Sequence, residues 1–99
     1  MFYMEFQDPR KPKNRITSAP ENINLESTTV IWFNNQRGYG FALPTVKSKN
    51  HDVFLHSNHG DISKYEDGYV AHYPEDKILV KVEKYNEKYY ASYFCPNRS

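Results

Sequence analysis

The chain has a single cysteine, Cys95, among its 99 residues, so it cannot form an internal disulfide. A zinc site would have to draw most of its ligands from other residue types, and the expectation is a reducing compartment with Cys95 as a packing residue. No apolar run approaches the roughly 18 residues needed to span a bilayer, and the first ten residues lack the basic start and continuous apolar stretch of a secretion signal. A cytoplasmic protein with no membrane partner is therefore expected. Charge of one sign is missing too: 13 basic residues meet 12 acidic ones, for a net charge of +1, which leaves no global field to attract a polyanion. Strongly apolar residues are scarce, with 4 Leu, 5 Ile, 6 Val and 6 Phe, so the 9 tyrosines must help build any core. Neither Gly-x-Ser-x-Gly nor His-Glu-x-x-His occurs, and no enzyme activity is expected.

What is present divides into three stretches. Residues 1–26 read as a flexible or loosely docked extension: Phe2, Tyr3, Met4 and Phe6 form a sticky start, while Pro9, Pro12 and Pro20 interrupt any regular element. Arg10, Lys11, Lys13 and Arg15 cluster between those prolines, and a basic arm can add phosphate contacts, but four acidic residues cancel their charge, so a solvated tail is the first expectation and a phosphate-binding arm the second. Residues 27–95 carry short β-rich runs with no helical periodicity, and residues 96–99 form a tail. Five strands are predicted, near Thr28–Asn34, Gly38–Leu43, Asp52–His56, Lys77–Tyr85 and Lys88–Cys95. Asn35, Gln36 and Arg37 make the first turn, and Asn86 with Glu87 makes the last. Five short strands hiding a small core favour an all-β, closed or nearly closed barrel, because closure removes exposed edges. The stretch Ser57–Asp76 is long for so small a domain, which points to a functional loop or to short helical turns.

Alternation puts Tyr39 and Phe41 on one side of the second strand and Phe54 and His56 on one side of the third. Turning those rings inward would leave Val53 and Leu55 in water. The better assignment buries Phe33, Val53, Leu55, Ile78, Val80 and Val82 and leaves the rings outside. Strict alternation cannot bury both Val30 and Phe33, so the first strand needs a bulge. With Trp32 joining from the first strand, the exposed rings make a platform on which unpaired bases stack, each stack contributing about 1 to 3 kcal/mol. The central third of the chain is net +2, with Arg37, Lys47 and Lys49 available for phosphates.

The same residues resemble a known family. Trp32-Phe33-Asn34, then Arg37-Gly38-Tyr39-Gly40-Phe41, then Asp52-Val53-Phe54-Leu55-His56, in that order and spacing, are similar to the cold-shock domain. The resemblance implies a five-stranded OB-type barrel that binds single-stranded RNA or DNA with little sequence selectivity, as a nucleic-acid chaperone or regulator of gene expression. It assigns stacking roles to Trp32, Tyr39, Phe41, Phe54 and His56, sets Arg37 where the family has a basic residue, and includes Asn34 in the first motif. Departures are Ile31 at a position usually basic, Ser57 where a ring normally follows the histidine, and the missing glycine-proline-rich link between the last two strands. Tyr65, Tyr69 and Tyr73 are candidates to replace the lost ring.

Two other readings compete. His51, His56 and His59 with Asp52 match no metal-ligand spacing, and neither a metal nor another cofactor is expected. A protein-interaction module that kept the barrel but lost part of the nucleic-acid face is the main rival. It would use residues 57–76 or the amino-terminal arm, or the late tyrosines Tyr85, Tyr89, Tyr90 and Tyr93.

Overall fold

The computed structural model describes residues 8–12 and 24–97. Five strands, β1 (Glu26–Asn34), β2 (Tyr39–Ala42), β3 (Val53–His56), β4 (Lys77–Tyr85) and β5 (Lys88–Pro96), close into an all-β barrel. Their order is β1-β2-β3-β5-β4 with β4 returning to β1, the arrangement of an OB-type barrel. The strands lie within two residues of the bounds expected from alternation. β3 and β5 pair in parallel, which requires a long crossover, and residues 57–76 start it. Of the expected arm, only residues 8–12 and 24–26 are described; Phe2, Tyr3, Met4, Phe6, Lys13 and Arg15 lie outside the described residues. The barrel takes in Glu26 and Pro96, one residue beyond each expected bound, and of the remaining tail Asn97 donates its amide to the Lys77 carbonyl at 3.0 Å. Among the described residues no helix is long and apolar enough to cross a membrane.

The predicted bulge exists. Val30 faces Ala42 and Trp32 faces Phe41, so β1 advances two residues while β2 advances one, and Ile31 is the extra residue. Thr28 and Val30 point inward before the bulge and Phe33 after it, while Trp32 turns outward. All six expected core residues are buried, and Ala42, Val70, Ala91 and Phe94 join them. β2 contributes little volume inside. A Cβ on Gly40 would lie 2.2 Å from the Trp32 carbonyl oxygen and 2.7 Å from the Phe33 Cα, so only glycine lets β1 and β2 approach this closely.

The long connection is a cover rather than an open loop. Three 3-10 turns, Ser57–His59, Ile62–Lys64 and Glu66–Gly68, lie between β3 and β4, and Gly60 pairs with Phe94 of β5. This explains why β5 is buried along most of its length instead of alternating. Two polar knots hold the cover down. Asp61, fully buried, accepts hydrogen bonds from the Tyr93 hydroxyl, from the Ser63 hydroxyl at 2.6 Å and from the Ser63 amide at 3.1 Å. Burial pushes the Asp61 pKa up, but these donors and nearby Lys64 outweigh it and hold the carboxyl below its ordinary value. Tyr93 is pushed strongly upward by burial and by the same carboxylate, so it stays a donor. In the second knot the buried His72 bridges the Tyr65 hydroxyl at 2.5 Å and the Asp76 carboxylate at 3.0 Å.

Two tests follow from this packing. Gly40→Ala should prevent cooperative unfolding at all, or lower the urea midpoint severely, since the clash is with backbone; a midpoint near that of the parent chain would contradict the close β1–β2 approach. Asp61→Asn should cost about 1 to 3 kcal/mol at neutral pH, because a buried acceptor of charged strength is lost. The depressed folded-state pKa makes the parent's advantage complete above the unfolded carboxylate value and smaller as pH falls. Urea titrations at about pH 7 and about pH 2.5 should therefore show the gap between parent and variant narrowing in acid.

Candidate nucleic-acid interface

Pairing register builds the ring set. Tyr39 stands opposite His56 and Phe41 opposite Phe54 across β2 and β3, and Trp32 stands opposite Phe41 across β1 and β2. Because the pleat sends alternate side chains to one face, these pairings bring five rings together on the outer surface. Trp32 lies 5.6 Å from Tyr39 and 5.7 Å from Phe41 between ring centroids, Phe41 lies 5.4 Å from Phe54, and Tyr39 lies 6.3 Å from Phe54. The contacts are edge-on or tilted rather than stacked, which leaves ring faces open to solvent. Trp32 is 40 % exposed, and Tyr39, Phe41, Phe54 and His56 are half-buried. His56 Nδ1 accepts the Asn58 amide at 3.1 Å, so the neutral ring carries its proton on Nε2.

Two hollows lie over this surface. The first, about 570 Å³, is lined by Arg37, Tyr39, Phe54, His56 and Lys11 of the amino-terminal segment. The second, about 310 Å³, continues past Phe54 and Phe41 to His51, Tyr89 and Lys88 and also touches Arg10 and Lys11. His51 stacks on Tyr89 with 5.3 Å between centroids, carrying the aromatic surface on to β5. The concave, aromatic, cation-edged shape suits a flat unpaired base with a charged backbone beside it.

The other expected site residues fall in different places. Asn34 uses its side-chain oxygen to accept the Gln36 and Arg37 amides at 3.0 and 2.9 Å, so it shapes the turn that presents Arg37. Lys47 and Lys49 are exposed on the β2–β3 connection, which winds around the buried Ser48, and neither lines the two hollows. Gly38, at φ 77°, closes the turn, and a Cβ there would meet Ser57 Oγ at 2.5 Å. Ser57 thus packs against the turn where a ring was sought, and its amide donates to the Gly38 carbonyl at 2.8 Å. Tyr65 is tied to His72, and exposed Tyr69 donates its hydroxyl to the Asn35 carbonyl; neither these nor Tyr73 line the hollows.

Sequence reasoning missed Lys88 and the His51–Tyr89 stack, and did not single out Lys11 within the basic arm. The basic cluster 10–15 raises phosphate contacts from the arm as a second expectation, but charge cancellation hides which of its residues docks at the hollows. Lys88 and Tyr89 join the site through the parallel β3–β5 pairing, which brings together residues more than thirty positions apart. Of the late tyrosines, Tyr90 and Tyr93 are buried, Tyr89 is largely buried but lines the second hollow, and Tyr85 is half-buried. The Cys95 thiol is buried and its pKa is pushed up by that burial, which disfavours a reactive thiolate. Among the described residues no three His, Cys, Asp or Glu side chains gather where they could hold a metal ion. No family model matches the chain, and no curated protein matches it.

The outward and inward residues of β3 should separate in a stability measurement. Leu55→Ala, at a fully buried position, should cost about 2 to 5 kcal/mol. Phe54→Ala, on the ring surface, should cost about 1 kcal/mol, the scale of lost cross-strand contacts. Equal losses in urea unfolding would mean that the rings belong to the core.

Proposed function

We propose that the chain binds single-stranded RNA or DNA with low sequence selectivity, by stacking bases on Trp32, Tyr39, Phe41, Phe54 and His56, as a divergent member of the cold-shock domain family. The observation that carries this reading is the contiguous set of solvent-open rings across β1, β2 and β3, on the face and loops that OB-type barrels use for oligonucleotides. Arg37, held at the rim by the Asn34-capped turn, meets a phosphate. Near-neutral net charge keeps long-range attraction small, so stacking contributes more of the affinity than in a strongly basic binder. The role is that of a chaperone or regulator acting in the cytoplasm, with binding rather than turnover as its chemistry. A protein-interaction module has less support, because three of the four late tyrosines, Tyr89, Tyr90 and Tyr93, are buried and residues 57–76 are engaged in covering β5.

Trp32 provides the readout, being the only tryptophan. Titration with short oligo-dT and a matched RNA should quench its fluorescence, with affinity falling as salt rises. Phe41→Ala and Phe54→Ala should each weaken binding by about 1 to 3 kcal/mol, or roughly five- to 150-fold. A folded protein whose Trp32 emission ignores micromolar oligonucleotide would refute the stacking mechanism and favour a protein partner.

A further inference from the structure

Residues 8–12 do not behave as the solvated tail that their composition suggests. His59 Nε2 donates to the Pro9 carbonyl at 2.7 Å, and Asn58 Nδ2 donates to the Pro12 carbonyl at 2.8 Å, so the segment is pinned on both sides of Lys11. Between those pins the chain is braced by its own turn. The Lys11 amide donates to the Asp8 carbonyl at 2.9 Å, and the Arg10 guanidinium grips the Asp8 carboxylate, with 2.6 Å for the shortest contact. Arg10 also sits over the Tyr85 ring, 5.6 Å from its centroid. Arg10 also lines the second hollow, but its guanidinium is paired with Asp8, whereas Lys11 is exposed and makes no ion pair among the described residues.

Lys11 and Phe54 each line both hollows, so they stand where one hollow passes into the other. A strand laid along the groove from Arg37 to Lys88 has to cross that junction. Resting on the nucleic-acid reading above, we infer that residues 8–12 form a wall of the binding groove, with Lys11, which borders both hollows, as a phosphate-binding residue linking the Arg37 hollow to the Lys88 hollow. Cations and rings then line the same two hollows, the combination that tracks a single strand without reading its sequence. The two carbonyl pins order the segment in advance, so less freedom is lost on binding than with a loose tail.

The test is anisotropy of a fluorescein-labelled dT oligomer across a salt series with the full chain, Lys11→Ala, Lys11→Glu and, as a charge control, Lys77→Ala, whose side chain lines a different hollow beside Tyr65. Lys11→Ala should raise Kd roughly threefold at low salt and flatten the plot of log affinity against log salt by about 0.7, the share of one single-strand phosphate contact. Lys11→Glu should weaken binding further, and Lys77→Ala should leave both quantities unchanged. Unchanged affinity and slope in Lys11→Ala, with the parent chain binding well, would overturn the role of the segment while leaving the ring site intact. Tighter binding would overturn it too, by making the segment a cover over the groove, and an equal loss in Lys77→Ala would reduce the effect to bulk charge. Absence of binding by the folded parent chain would instead remove the ring site itself, and the segment's role with it.

Discussion

β1 serves two neighbours, and the barrel closes only because it can. Its first half, Glu26–Thr29, pairs with β4, and its second half pairs with β2 from Val30 onward. The bulge at Ile31 falls where the strand passes from one partner to the other. The added residue reverses the alternation, so Val30 and Phe33 both enter the core. Without it, Trp32 would point inward with Thr28 and Val30, and the outer ring set would lose the member that joins β1 to β2. Closure, core and binding surface therefore depend on one local irregularity. Gly40 serves the same approach from the other side, because its missing side chain leaves room for the β1 backbone beside Trp32.

A barrel of so few residues has little apolar volume, and this one supplements it with polar closures. The crossover 57–76 covers β5 with 3-10 turns instead of a helix, and such turns supply few apolar contacts of their own. Asp61 with Tyr93 and Ser63, and His72 with Tyr65 and Asp76, provide the anchoring that a helix face would otherwise give. Each buried polar group in these knots has a partner, which is what makes their burial tolerable in a medium of low polarizability. The tyrosine-rich composition fits this arrangement: a tyrosine can fill core volume and still end in a hydroxyl that reaches an acid or an imidazole.

On the outer face of β1, β2 and β3 the same residue economy leaves rings outside. Exposed aromatics usually add little to stability, and here they edge against one another at 5.4 to 6.3 Å rather than bury their faces. Arg37, Arg10, Lys11 and Lys88 line the hollows, while Asp52 and Glu87 line the second hollow and temper the local charge. A groove of this kind gains affinity from flat, stackable ligands more than from long-range attraction.

The strands, their inward residues and the shared face of Tyr39, Phe41, Phe54 and His56 were legible in the sequence, because period-two alternation is a local property and a misplaced register would expose Val53 and Leu55 to water. The need for a bulge was legible too, from Val30 and Phe33 alone. What local pattern could not reveal was every contact made across long stretches of chain: the parallel β3–β5 pairing that adds Tyr89 and Lys88 to the groove, the seating of the expected short turns on β5, and the partners, Asn58 and His59, on which residues 8–12 dock. Lys47 and Lys49 illustrate the same limit, since they stand within the basic central third yet the loop around Ser48 carries them away from the hollows. Sequence determined which side of each strand faces water, a matter of neighbouring residues and burial. Tertiary structure decided which distant cations and rings share a surface, because that depends on how the chain crosses itself.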